Sequence, residues 1–186
     1  MRWDSLFEDL ESQLQAQLEA QFRDEVAENI RIERASEDLL GRLRTLLGCT
    51  VNLHLSGSVE VGGVLGPLGK DYLCLEAETS NLLIMQKVIR RISWSPRTRC
   101  SPPTGSEPTT IKVPALLRGL LRDRSQLRIH DELGKLLVEG TPTQIGKDFL
   151  SIASHPRDEF PRESSITDHS IVPLDAIGWI AIPKGY

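Results

Sequence analysis

The chain has 186 residues, of which 39% are hydrophobic and 26% charged, with a formal net charge of −4. That is enough apolar content for a packed core, and it leaves no global cationic field of the kind that announces nucleic acid. No apolar run approaches the ~20 residues that span a bilayer, and the opening MRWDSLFEDLESQ is acidic and amphipathic rather than basic and then apolar, so a cytoplasmic protein with no membrane partner is expected.

The first 35 residues read as one amphipathic, acidic helix. Trp3, Phe7, Leu10, Leu14, Leu18, Phe22, Val26 and Ile30 recur at steps of three and four, the spacing of a single helical face. Ser5 and Glu8 have the form of a capping box, which starts the helix near Ser5. Most of the steps are four, so the stripe drifts around the axis and argues against a long, strict two-stranded coiled coil. About 30 helical residues reach roughly 45 Å, more than one small domain covers. Part of the stripe is therefore expected to meet the second half of the chain or another subunit.

ASEDLLGRLRTLLG at 35–48 reads as a second helix, with Ser36 as its cap, Glu37 and Asp38 at the positive end of its dipole and Gly48 as its stop. The period then changes to two. Val51, Leu53 and Leu55 alternate up to a Ser56-Gly57 turn, and a glycine-containing strand follows through Val59 and Val61. DYLCLEAE, NLLIM and KVIRRISW complete five short strands, so residues 36–93 form one unit. Residues 94–113 are rich in Pro, Ser and Thr and read as a linker, which leaves 114–186 as a second unit.

Cys49, Cys74 and Cys100 are odd in number and lack C-x-x-C spacing, so neither a disulfide framework nor a zinc site is suggested. The four histidines, His54, His130, His155 and His169, form no metal-binding pair. Charge is segregated. Residues 1–40 hold 11 acidic and 4 basic residues, a net −7, and residues 86–128 hold 10 basic and 2 acidic residues, a net +8. The basic middle is either a binding patch or a counterpart for the acidic head.

GKDYL at 69–73 returns as GKDFL at 146–150. With an offset of 77, Leu43 meets Leu120, Gly57 meets Gly134, Val61 meets Val138 and Gly63 meets Gly140. A one-residue slip places Val51 and Leu53 on Leu127 and Ile129. Past the third strand the offset grows to 88, so Ile84 meets Val172 and Ile92 meets Ile180. The difference is 11 extra residues within the polar stretch SHPRDEFPRESSITDHS. An internal duplication accounts for all of this.

Each copy runs helix, strand, Gly turn, Gly-containing strand, Gly-Lys-Asp turn, third strand and two short strands. That order resembles the Sm-like (LSm) small β-barrel over about residues 37–93 and 114–182. The resemblance implies a mainly β protein with some α: two tandem, strongly bent five-stranded antiparallel barrels, each behind a short helix, after the long N-terminal helix. MRWDSLFEDLE is also similar to the start of a group of uncharacterised bacterial proteins with a helical head, a likeness that implies no activity.

Sm-like proteins bind uridine-rich RNA through an Asp-x-apolar-Asn and an Arg-Gly. The first position here reads Lys70-Asp71-Tyr72-Leu73 and Lys147-Asp148-Phe149-Leu150, and the second Met85-Gln86 and Pro173-Leu174, so both recognition pairs are missing. What the resemblance leaves is generic. Lys70 and Lys147 fall in the turns that line the pore of Sm-like rings, and Lys87, Arg90, Arg91, Arg97, Arg99 and Arg124 are suited to phosphates. Tyr72 and Phe149 are either base-stacking platforms or core side chains.

Asp71 and Asp148 are one position in two copies with nothing nucleophilic beside them, and LGPLGK lacks the phosphate-loop form. The expectation is a non-catalytic interaction or scaffold module, with no cofactor, metal or small-molecule substrate. It would bind a protein partner, or itself, through sheet edges or the N-terminal helix. The alternative is a low-specificity binder of RNA or single-stranded nucleic acid, using residues 86–128 and the repeated turns.

Overall fold

The computed structural model of the chain describes residues 3–98, 100, 111–155 and 166–184. Arg99, most of the linker and most of the polar 11-residue insertion therefore lie outside the described residues. The chain divides into two compact units, residues 1–42 and 43–186.

The first unit is dominated by helix α1, Trp3–Ser36, which begins two residues before the expected cap. Leu14, Leu18, Phe22, Val26 and Ile30, the drifting stripe, are all exposed. Ser36 does not cap a following helix; its hydroxyl donates back to the Glu33 carbonyl and closes α1. The cap of α2, Leu39–Arg44, is Asp38, whose carboxylate accepts the Gly41 N–H at 2.6 Å. Gly48, at φ 73°, ends the turn beyond α2 in the left-handed region, as the sequence suggests.

The second unit holds ten strands: β1 Thr50–Leu55, β2 Glu60–Leu68, β3 Tyr72–Glu76, β4 Ser80–Met85, β5 Ile89–Trp94, β6 Leu127–His130, β7 Leu136–Ile145, β8 Phe149–Ser154, β9 Asp168–Pro173 and β10 Trp179–Pro183. Helix α3, Val113–Arg122, precedes β6 and packs on β7. Equivalent residues of the two halves hold equivalent register positions. Leu53 faces Val61 and Ile129 faces Val138; Leu73 faces Ile84 and Leu150 faces Val172.

Two separate five-stranded barrels do not form, which corrects the architecture expected from the sequence. All ten strands join one antiparallel sheet in the order β5-β1-β2-β3-β4-β10-β6-β7-β8-β9, left open at β5 and β9. The join is β4 against β10, from Ile84–Trp179 through Ser80–Pro183. The cause lies in the side chains of these two strands, which are apolar on both faces. Leu82 and Ile84 point into the first half's core with Trp179 and Ala181 of β10, while Leu83 and Met85 join Ile180 in the second half's core. Separating the halves would expose Leu83, Ile84, Trp179 and Ile180, each at most 5% accessible, at about 1.5–3 kcal/mol apiece. That loss, on the order of 6–12 kcal/mol before the backbone bonds are counted, favours one fused sheet over two closed units.

Candidate interaction surfaces

The repeated GKD turns are built the same way twice. The Gly69 N–H donates to the Tyr72 carbonyl at 2.9 Å, and the Gly146 N–H to the Phe149 carbonyl at 2.9 Å. The Asp71 carbonyl then accepts the Gln86 N–H, and the Asp148 carbonyl the Leu174 N–H, both at 2.8 Å. Each aromatic ring lies on its glycine, because a Cβ at residue 69 or at residue 146 would stand 2.2 Å from Cε1 of Tyr72 or Phe149. The turn thus uses the Asp main chain rather than its carboxylate, and the glycine is there to make room for the ring. Tyr72 is 1% exposed, so it is a core side chain and no stacking platform, while Phe149 is half-buried.

The candidate cations fall on several elements. Lys70 and Lys147 are exposed at the tips of the two GKD turns, and Arg124 is exposed just after α3 in a left-handed conformation, φ 49°. Arg97, in the turn after β5, is exposed as well, whereas Lys87, Arg90 and Arg91 are already engaged. Lys87 pairs with Glu132 at 2.8 Å and donates to the Asp175 carbonyl. The Arg90 Nε–H donates to the Ser56 hydroxyl at 3.0 Å. The Arg91 guanidinium donates to His54 Nε2 at 2.5 Å, and His54 Nδ1 donates to Glu60 at 2.8 Å.

The open edges differ from their counterparts inside the sheet. In the second half Trp179 occupies the place of Arg91, stacked on His130 with ring centroids 5.0 Å apart and 5% exposed. Gly178 occupies the place of Arg90. On the other edge Ile171, the counterpart of Leu83, is 71% exposed against 1%. The edge strands are more polar than their internal counterparts: Arg90 and Arg91 of β5 stand where the second half has Gly178 and Trp179, and Ser170 of β9 stands where β4 has Leu82. Trp94 on β5 is 42% exposed.

Cysteine chemistry departs from the sequence reading. Cys49 and Cys100 form a disulfide across 51 residues, from the start of β1 to the chain beyond β5. Nothing in their spacing announced it. Cys74 is free, and burial, aided by Glu76, pushes its thiol up to about 11, which keeps it protonated and unreactive near neutrality. Among the described residues no group of His, Cys, Asp and Glu side chains is arranged to hold a metal, and no helix is long and apolar enough to cross a membrane. No protein-family model and no curated protein matches the chain.

Proposed function

We propose that the chain is a non-catalytic interaction or scaffold module whose partner is a further copy of itself, engaged edge to edge through β9 and β5. The observation that carries this reading is the β4–β10 pairing, a junction between the two halves whose counterpart strands stand open at opposite ends of the sheet. The 88-residue offset projects that junction onto a register between chains: Val172 opposite Arg91, Ile171 opposite Ile92, Ser170 opposite Ser93 and His169 opposite Trp94. Such pairing would cover Ile171 and Trp94, the exposed apolar side chains of these edges. Two β5 strands would bring arginines together, which disfavours the pairing of like edges. Because the outer faces are polar, the contact lacks the two-sided core of the internal junction, and the association is weak and reversible. The resemblance to Sm-like proteins, which assemble through sheet edges, and the internal duplication agree with this reading.

Sedimentation velocity over a concentration series tests it. The expected result is growth beyond the 20.8 kDa monomer as concentration rises, abolished by Ile171→Lys, a change at a solvent-facing site that leaves the fold intact. A monomer at every concentration, or assembly indifferent to Ile171→Lys, refutes the edge reading.

A second reading rests on Lys70, Lys147 and Arg124, which are exposed and have no side-chain partner among the described residues. They suit low-specificity binding of RNA or single-stranded nucleic acid through phosphates. Fluorescence anisotropy of labelled poly-U and mixed-sequence RNA decides it. Binding that weakens with salt and drops in the Lys70→Ala/Lys147→Ala double variant supports this reading. No binding at low salt ends it.

A further inference from the structure

The seam between the two halves carries an open cleft of about 640 Å³, within the usual range for small-molecule sites. Its apolar lining is Met85 at the end of β4, Val113 and Pro114 at the start of α3, and Leu174 after β9. Met85 and Val113 are core side chains, 6% and 5% exposed, so this part of the wall is rigid. Its rim carries two carboxylates, Asp71 from the first GKD turn and Asp175 from the 3-10 turn Leu174–Ala176.

Charge decides what such a pocket prefers. The one cation among the described lining residues, Lys87, is engaged by the Glu132 carboxylate and the Asp175 main-chain carbonyl. Neither the Asp71 nor the Asp175 carboxylate has a hydrogen bond or ion pair among the described residues. The main chain of each is engaged: the Asp71 carbonyl accepts the Gln86 N–H, and the Asp175 carbonyl accepts from the Lys87 ammonium. Two carboxylates without a side-chain partner among the described residues, beside an apolar wall, suit a ligand with a cationic head and an apolar body.

We propose that this seam pocket binds a small organic amine, its ammonium between Asp71 and Asp175 and its apolar body against Met85, Val113 and Leu174. The site belongs to neither half alone: Asp71 and Met85 come from the first, Val113, Leu174 and Asp175 from the second. Its occupancy does not depend on edge pairing.

Tryptamine, an indole bearing a primary ammonium, is a suitable probe, and indole-3-propionate, the same ring bearing a carboxylate, is its counter-probe. Amide chemical shifts of the full-length chain are followed by NMR during titration with each. Tryptamine is expected to shift Gln86, Lys87 and Leu174 saturably, and indole-3-propionate to bind much more weakly. The Asp71→Asn/Asp175→Asn double variant is expected to weaken tryptamine binding about fivefold, as two partly solvated charges allow. Both aspartates are exposed, so the variant keeps the wild-type melting temperature and circular dichroism. The proposal is overturned by absent tryptamine binding, by equal affinity for the two probes, by shifts that map elsewhere, or by an unchanged affinity in the double variant.

Discussion

Replacing Gly69 and Gly146 by alanine, one at a time, tests why GKD[YF]L is written twice. Either substitution places a methyl carbon 2.2 Å from an aromatic Cε1, when carbon atoms in contact sit about 3.5–4 Å apart. The ring must therefore move by more than an ångström. At Gly69 it has nowhere to go, because Tyr72 is 1% exposed and belongs to the same buried apolar cluster as Leu83, Met85 and Leu117. Overpacking of this kind costs about 1–3 kcal/mol, and the Gly69 site belongs at the upper end. At Gly146 the half-buried Phe149 ring has room to swing outward, so the cost there is near 1 kcal/mol. Loss of glycine's unfolded-state freedom opposes both by about 0.4–1 kcal/mol, which leaves Gly146→Ala close to neutral and Gly69→Ala clearly destabilising. Urea denaturation followed by tryptophan fluorescence measures both. In a double-mutant cycle, Tyr72→Leu should relieve Gly69→Ala, giving a favourable coupling of about 1 kcal/mol or more. The steric account fails if Gly69→Ala matches wild type, if Gly146→Ala is the costlier change, or if the cycle shows no coupling.

Tyr72→Phe removes a buried hydroxyl that has no partner among the described residues, and the second half already carries Phe149 at that place; stability should stay level or rise by about 1–2 kcal/mol, read from the same urea curves. Cys100→Ser, made at the exposed member of the disulfide, should lower stability by about 4 kcal/mol, the loop-closure value for a 51-residue separation, and a reducing agent should then change wild type but not the variant. Equal denaturation midpoints for wild type with and without reductant would show that the bond contributes nothing.

Several features of the site were present in local sequence. The turns at Gly57 and Gly134, both at positive φ, follow from residues that glycine alone tolerates easily, and the offsets of 76, 77 and 88 carry residues of one half onto equivalent register positions in the other. The continuous apolar runs LLIM and IGWIAI were also visible, and they are the signature of strands covered on both faces. Set beside their counterparts, SIVP and RRISW, they distinguish internal from edge strands; without that comparison the first half and the second are read as closed units. Ser36 and Asp38 are both acceptable caps by residue type, and only the path of the chain selects Asp38.

By itself, the sequence determined the helical head, the alternation of the strands, the doubled pattern and the places where glycine must stand, because each depends on neighbours within one turn or one strand pair. The tertiary structure alone decided that β4 joins β10, that Cys49 meets Cys100, and that Asp71, Met85, Val113 and Asp175 share one pocket. The disulfide spans 51 residues, the β4–β10 pairing up to 103, and the pocket residues together 104, from Asp71 to Asp175. Their choice depends on which exposed edge and which apolar face remain once the local elements have formed, and that is settled by burial and backbone hydrogen bonding across the whole sheet.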